Sequence, residues 1–233
     1  MDNGDRRGKR RRRVVLVDDH PIVRSGLAQL INREPDLLVC GEAASSTEAI
    51  AAIQALDPDL VLLDISIKGS NGIEVVKTLR DSHPDLPVLM LSMHDEKLYA
   101  ERAVGAGARG YVMKQEAPGT ILTAIRSVLQ GRIYVSDSMT TNIIRNLVLA
   151  GTNADQTGHG INKLSDRELE IYELIGSGMT TREIAEKLNI SVKTVETHRV
   201  HVRHKLKLRS AAELTHRAVR WVESQNNLLQ ATL

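Results

Sequence analysis

Leu60-Val61-Leu62-Leu63-Asp64 is a run of four aliphatic residues that ends in a carboxylate. An aliphatic run this short and dense is typical of a strand that is buried on both faces, as the strands of a parallel sheet are. In open α/β sheets, ligands bind at the carboxyl ends of the strands. The stretch therefore predicts an α/β fold with Asp64 at the binding edge of its sheet.

Other segments repeat this pattern of an aliphatic run followed by a polar residue. The run at 14–17 leads to Asp18 and Asp19, the run at 88–91 leads to Ser92, and the segment at 110–113 leads to Lys114. With a further strand-like run at 37–40 and helix-like segments between the runs, the chain contains five β-α repeats. Right-handed crossovers wind such repeats into a doubly wound, five-stranded parallel sheet, predicted over residues 14–130.

Length and composition favour two domains in a cytoplasmic protein. The chain has 233 residues, and its single Cys40 excludes an internal disulfide and suits a reducing compartment. No apolar run approaches the roughly 20 residues of a spanning helix, and no apolar signal core follows the first arginines. We expect no membrane segment.

Charge is distributed unevenly along the chain. Residues 1–13 carry seven Arg and Lys against two Asp, residues 14–131 carry ten basic against sixteen acidic groups, and residues 164–233 carry eleven against nine. An acidic front domain and a basic back domain are typical of a regulator joined to a polyanion binder. We interpret the basic tail at 1–13 as a solvated extension, with contact to phosphates or an anionic surface as the alternative.

The region after the predicted sheet contains a linker and then only helices. Residues 131–163 are predicted to be a linker with one helix at 139–149 and a polar, glycine-rich tether at 151–160. Hydroxyl residues followed three positions later by glutamate mark helix starts, and a lone serine marks another: Ser165 with Glu168, Thr180 with Glu183, Ser210 with Glu213, and Ser191. They predict a small all-α domain at 164–225, with helices at 166–176, 181–188, 192–207 and 211–224. The short connection at 188–191 is typical of a helix-turn-helix.

The polar residues at the strand ends predict a phosphoryl site with a metal ion. Mutual repulsion among Asp18, Asp19 and Asp64 has to be offset by a cation. Carboxylate oxygens favour Mg²⁺, while Lys114 suits a phosphoryl group. Asp64 can then act as a nucleophile, and Ser92 offers a hydroxyl to a phosphoryl oxygen. The alternative is three ordinary surface carboxylates, which their convergence on one sheet edge disfavours.

The third helix of the back domain is predicted to bind DNA. Val192, Val195, Val202 and Leu206 share one face and are expected to be buried, and residues 192–209 carry six Lys and Arg against one Glu. The helix is either a solvated amphipathic helix or a reader of the major groove. Its place as the second helix of a helix-turn-helix favours the groove.

Four spaced motifs of the front domain resemble the receiver domain of two-component response regulators, whose fold is flavodoxin-like: Val17-Asp18-Asp19-His20-Pro21, Leu62-Leu63-Asp64, Leu91-Ser92 and Tyr111-Val112-Met113-Lys114. The resemblance implies Asp64 as phospho-acceptor and Asp19 as a direct Mg²⁺ ligand with Asp18 beside it. It also implies a main-chain carbonyl of Ser66 as a further ligand, and a switch pair formed by Ser92 and Tyr111.

Two positions depart from the receiver pattern. Lys68 stands where receivers usually have a proline, four residues after the acceptor, and Gln115 follows the lysine where many have a proline in a cis bond. Neither departure removes a reacting group.

The back domain resembles the LuxR-type DNA-binding domain in the segments 164–168, 183–185 and 194–198 and in Lys205-Leu206. The two halves together look like a NarL/FixJ-type response regulator. The resemblance implies phosphorylation by a sensor histidine kinase, a homodimer when phosphorylated, and binding to double-stranded DNA. The predicted DNA-binding residues are Lys193, Thr194, Glu196, Thr197, Arg199, Arg203 and Lys205.

Parts of the sequence also fit two other functions, a phosphatase and a binding protein that does not respond to phosphorylation. An Asp nucleophile with Mg²⁺ on an α/β sheet also suits phosphatases of the dehalogenase type. Those enzymes typically carry a second Asp two residues after the nucleophile, where this chain has Ser66, so we expect no enzyme. The other rival is a binding protein that ignores phosphorylation and uses its receiver only to dimerise, which the complete set of acid, hydroxyl and lysine disfavours.

Overall fold

Two compact units make up the chain, Met1–Ile143 and Ile144–Leu233. The computed structural model describes residues 10–68, 70–93, 96–137, 139–141 and 160–230, without the side chains of residue 97 and residues 225–230. Most of the helix predicted at 139–149 and nearly all of the tether predicted at 151–160 lie outside the described residues. Residues 139–141 are helical.

The first unit alternates strands and helices. In chain order its elements are β1 (Arg12–Val17), α1 (Pro21–Asn32), β2 (Leu37–Ala43), α2 (Ser46–Leu56), β3 (Leu60–Asp64), β4 (Ser66–Ile67), β5 (Ser70–Asn71), α3 (Gly72–Ser82), β6 (Val88–Ser92), α4 (Glu96–Ala106), β7 (Gly110–Met113) and α5 (Pro118–Leu129). Five strands form one parallel sheet in the order β2-β1-β3-β6-β7, and β4 and β5 form a small antiparallel hairpin. The predicted doubly wound, five-stranded parallel sheet is confirmed.

The sheet is buried on both faces, as its aliphatic runs predicted. Val14 and Leu16 belong to a core cluster with residues of α1 and α5, such as Ile31 and Ile125. Their neighbours along β1 point to the opposite face, because strand side chains alternate, and Val15 is likewise fully buried. The central strands therefore stay in place, and their carboxyl ends form one fixed edge.

The second unit contains helices and no strand among its described residues. A 3₁₀ turn at Ile161–Lys163 precedes α6 (Asp166–Gly176), α7 (Thr181–Lys187), α8 (Val192–Lys205) and α9 (Ala211–Gln230). The four helices confirm the predicted all-α domain. Helix α8 ends two residues earlier than predicted, and Lys207 then adopts a left-handed φ of 55° that stops the helix.

The helix starts depend on the side chains that the sequence singled out. Ser165 with Glu168 and Thr180 with Glu183 form complete capping boxes, and Ser191 accepts the main-chain N–H of Thr194. At α9 the exchange is displaced by one residue. Ser210 accepts the N–H of Glu213, but the Glu213 carboxylate accepts the N–H of Arg209, at 2.7 Å, instead of that of Ser210.

A cluster of charges joins α5 to the segment between α1 and β2. Arg126 donates to both carboxylate oxygens of Asp36, at 2.8 and 2.9 Å, and to Glu34 at 2.5 Å. The hydrogen bond from Arg126 lowers the pKa of Asp36. Since the cluster is partly exposed, we expect it to contribute only modestly to the free energy of unfolding.

We expect Arg126→Met to lower the free energy of unfolding by about 1 kcal/mol near neutral pH. A lowered pKa of Asp36 means that its contribution is complete above the unfolded pKa of an aspartate, about 3.9, and is lost as the pH falls through the lower folded pKa. The difference between variant and wild type should therefore shrink in urea unfolding at strongly acidic pH. Arg109→Met, at an exposed position, is the control. A loss that stays the same in acid would contradict this account of the cluster.

Candidate functional site

Four polar side chains lie at the carboxyl edge of the parallel sheet. Asp64 and Ser92 are the last residues of β3 and β6, and Asp18 and Lys114 directly follow β1 and β7. The side chains of Asp18, Asp64 and Lys114 are only 3 to 6% exposed, and Ser92 is fully buried. The structure thus brings together the groups that the sequence placed at this edge.

Lys114 connects the two buried aspartates. Its Nζ lies 2.6 Å from Asp64 Oδ2 and 2.7 Å from Asp18 Oδ2. Burial by itself would lower the pKa of Lys114, but the carboxylates of Asp64 and Asp18 outweigh burial and raise the pKa. Lys114 is therefore a charged ammonium group, and it holds the ends of β1, β3 and β7 together.

Asp19 and His20 complete the acidic cluster. His20 Nδ1 lies 2.8 Å from Asp19 Oδ1 and 3.2 Å from Asp18 Oδ1. Burial raises the pKa of Asp19, as does the neighbouring charge of Asp18, although His20 opposes the shift. Ligand atoms of Asp18, Asp19, His20 and Asp64 all lie within 4.8 Å of one another. A buried carboxylate crowded by a second one favours a cation at this point.

The hairpin after Asp64 carries Ser66 on its first strand and leads to Gly72, which lies against the end of β3. Ser66 on β4 pairs with Asn71 on β5, and the Asn71 carboxamide accepts the N–H of Ile73 to start α3. Gly72 donates its N–H to the Ile65 carbonyl, and a Cβ added at Gly72 would overlap the main-chain carbonyl of Asp64. The hairpin thus packs α3 directly against the end of β3.

The predicted switch pair lies on β6, which is next to β3 in the sheet, and on β7, the edge strand that pairs with β6. Ser92 accepts the main-chain N–H of Lys114 at its carbonyl, 2.8 Å away. Tyr111 on β7 pairs in register with Met90 and is 1% exposed, so that its ring is inside the domain.

Two residues of the site were not predicted as site residues. The sequence assigned His20 only to the receiver-like motif at 17–21, yet its ring contacts both neighbouring aspartates. Arg24 on α1 donates to the Asp18 carbonyl at 2.5 Å and to Glu42 at 3.0 Å. A histidine directly after two aspartates is a usable signal, but the bond of Arg24 depends on how α1 packs on the sheet.

The predicted DNA-binding residues are distributed around α8. Lys193, Glu196 and Thr197 are exposed, whereas Thr194, Arg199 and Arg203 are half-buried. Thr194 shares a 2.7 Å hydrogen bond with the cap residue Ser191. Val200, also on the exposed side, adds an apolar side chain that is 52% exposed.

Lys205 differs from the other predicted DNA-binding residues because it forms an ion pair inside the domain. Its Nζ donates to Glu168 Oε2 of α6, at 2.6 Å. The side chain of Glu168 is 5% exposed and that of Lys205 is 38% exposed. Lys205 therefore fixes α8 to α6, whatever else it contacts.

The prediction that four residues of one face of α8 are buried was wrong for one of them. Val195, Val202 and Leu206 are buried, but Val192 is 43% exposed. Val192 is the first residue of α8 and, beside the turn, lines a surface hollow formed with residues of α7. The core side of α8 therefore begins one turn later than predicted.

Both units match known families. Residues 14–126 match the response regulator receiver domain, and residues 162–218 match the luxR family of bacterial regulatory proteins. The oxygen regulatory protein NreC of Staphylococcus carnosus is 36% identical over 210 residues, which cover 89% of this chain and 97% of that protein. NreC of Staphylococcus aureus strain bovine RF122 / ET3-1 is 37% identical over 211 residues, with the same coverage.

Solved structures resemble the chain as well. A LuxR-family two-component response regulator from Aurantimonas sp. is 37% identical with a TM-score of 0.55, covering 59% of this chain and 99% of that one. RcsB of Salmonella enterica, bound to the promoter rprA in the presence of the phosphomimetic BeF₃⁻, is 26% identical with a TM-score of 0.57, covering 88% of this chain and 97% of its own. Across the described part of the chain, no helix combines the length and apolar character needed to cross a membrane.

The close packing of Gly72 on Asp64 predicts the effect of one added methyl group. Gly72→Ala should lower the free energy of unfolding by about 1–3 kcal/mol, because the Cβ forces main-chain atoms of Asp64 and Ile65 apart. Gly105→Ala is the matched control, since its Cβ on α4 would have no atom within 4 Å. Urea unfolding measures the stability of both variants. Equal stabilities would show that the hairpin adjusts to the added Cβ without a cost in free energy.

Proposed function

Because this chain belongs to the response regulators that join a receiver domain to a LuxR-type DNA-binding domain, we propose that phosphorylation of Asp64 controls its binding to DNA. The observation that carries the proposal is Lys114, buried between Asp18 and Asp64 at the sheet edge. The family is one of DNA-binding transcription regulators, so the rival reading as a phosphatase is rejected.

The phosphoryl transfer needs one nucleophile and one fixed positive charge. A carboxylate oxygen of Asp64 forms the new bond to phosphorus while the bond to the donor's leaving group breaks. Lys114 already lies 2.6 Å from Asp64, so its ammonium group balances the negative charge that arrives. Ser92 and Tyr111 are the proposed switch pair, Ser92 on the strand next to that of Asp64 and Tyr111 on the strand beyond it.

We further propose that the acidic cluster holds Mg²⁺. The donor set fits the ion, because Asp18, Asp19 and Asp64 offer carboxylate oxygens close to one another, and Mg²⁺ prefers such oxygens. We include the main-chain carbonyl of Ser66 as a further ligand. When bound, Mg²⁺ would neutralise charge on the phosphoryl oxygens.

We infer from the family that the chain has three partners, a kinase, DNA and a second copy of itself. A receiver domain takes its phosphoryl group from a sensor histidine kinase, which we propose as the donor in the cytoplasm. RcsB was solved on promoter DNA together with a phosphomimetic, and this supports double-stranded DNA as the ligand of the phosphorylated chain. We propose that two phosphorylated copies bind the DNA as a homodimer.

The DNA contacts are assigned to the exposed side of α8. We propose that Lys193, at its first turn, and Arg199, one and a half turns later, contact phosphates. Glu196 and Thr197, both exposed between them, face base edges in the major groove. Thr194 and Arg203 are placed at the margins. Lys205 keeps its structural contact with Glu168 and adds positive charge beside the groove.

Replacing the acceptor tests the first step. Asp64→Asn should gain no phosphoryl group from acetyl phosphate and Mg²⁺, because an amide is not a competent nucleophile. Intact mass spectrometry measures the product directly. Asp81→Asn is the control, since Asp81 is an aspartate on α3 with a side chain that is 80% exposed. If the Asp64→Asn protein still gains one phosphoryl group, the acceptor lies elsewhere.

Salt dependence tests the DNA surface. Each phosphate contact contributes about −0.9 to the slope of log affinity against log salt concentration. Lys193→Ala and Arg199→Ala should each weaken binding of the phosphorylated protein and flatten that slope by roughly this amount. Lys77→Ala, which removes a positive charge from α3 of the receiver, should leave the slope unchanged. Unchanged slopes in both α8 variants would place the DNA on another surface.

A further inference from the structure

The DNA-binding unit contains a cluster of metal-ligating side chains of its own, in addition to the acidic cluster of the receiver unit. Glu168 on α6 and His198 and His201 on α8 each offer one ligand atom, and these atoms all lie within 4.8 Å of one another. The histidines are one helical turn apart, so both rings are on the same side of α8. Their ring centroids are 6.4 Å apart, with perpendicular planes.

Glu168 is already oriented for a ligand role. Its Oε2 accepts the main-chain N–H of Ser165 at 2.7 Å and Lys205 Nζ at 2.6 Å. The other oxygen, Oε1, faces His201 Nδ1 at 3.8 Å. Supporting hydrogen bonds of this kind fix the direction of ligands in metal sites. Lys205 therefore keeps its bond to Oε2 while Oε1 stays directed at the histidines.

His198 has a ring nitrogen that nothing in the domain satisfies. Its Nδ1 is buried and has no hydrogen-bond partner. A neutral imidazole nitrogen of this kind can donate its lone pair to a cation. A buried polar atom without a partner calls for an explanation, and a bound ion is one.

We propose that Glu168, His198 and His201 bind a transition-metal cation of the Zn²⁺ class. Two imidazole nitrogens and one carboxylate oxygen are a donor set that Zn²⁺ accepts, with water in the remaining position. The side chain of His201 is 56% exposed, which leaves the site open to solvent. Arg167, although paired with Glu170, and Lys205 add positive charge nearby. They disfavour cations that bind by charge alone, whereas ions that prefer imidazole tolerate them better.

Such an ion would join α6 to the helix that carries the DNA-binding residues. Glu168 belongs to the first turn of α6, and His198 and His201 flank Arg199 along α8. Bound metal would therefore hold α8 at a second point beside the Glu168–Lys205 ion pair. The proposal concerns the DNA-binding unit alone and does not depend on phosphorylation of Asp64.

Titration of the full chain with ZnCl₂ tests the proposal. Calorimetry in excess Mg²⁺ should show that wild-type protein binds one Zn²⁺ that His201→Gln binds at least tenfold more weakly. The position is exposed, so the substitution leaves the core of the unit intact. His204→Gln is the matched control, because His204 is an exposed histidine of the same helix outside the cluster.

Spectroscopy of the histidine rings identifies the ligands. Zn²⁺ should shift the ring ¹⁵N signals of His198 and His201 in the wild-type chain and leave that of His204 in place. Equal binding by wild type and His201→Gln would overturn the proposal, as would ring signals of His198 and His201 that do not respond to Zn²⁺. Weaker binding by His204→Gln than by His201→Gln would overturn it too.

Discussion

The ammonium group of Lys114, buried between two carboxylates, is the constraint on which the receiver unit depends. Asp18 and Asp64 follow or end neighbouring strands, and without a cation their charges would repel inside a sheet edge that water barely reaches. Lys114 compensates both and is itself kept charged by them. Ser92 is joined to the same group, because its carbonyl accepts the main-chain N–H of Lys114. The proposed phosphoryl group on Asp64 would have to be accommodated among these charges.

The DNA-binding unit also contains a buried carboxylate that is paired with a lysine. Glu168 closes the capping box of α6 and at the same time pairs with Lys205 near the end of α8. Although burial would raise the pKa of Glu168, Lys205 lowers it, so the carboxylate stays charged. One side chain thus fixes both the start of one helix and the position of another. The exposed side of α8 remains available for a ligand, because the helix is held from its other side.

The sequence predicted most of the fold because its signals are local. Aliphatic runs ending in polar residues located the strands, and the capping residues located the starts of the helices in the second unit, although α9 extends to Gln230, six residues past its predicted end. The same strand ends predicted which groups meet at the sheet edge. Such local signals do not predict contacts that depend on how helices pack. Examples are the hydrogen bond from Arg24 to the Asp18 carbonyl, the ion pair of Lys205 with Glu168, and the exposure of Val192. His20 could have been predicted, because it directly follows two aspartates in the sequence.

One titration tests whether phosphorylation of Asp64 controls DNA binding. A duplex selected from random DNA by the phosphorylated protein is labelled, and its anisotropy is followed as full-length protein is added with Mg²⁺, with and without acetyl phosphate. We expect acetyl phosphate to tighten binding by the wild type and to give no such gain for Asp64→Asn. Equal affinity of the wild-type protein in both conditions, with phosphorylation verified by mass, would contradict it.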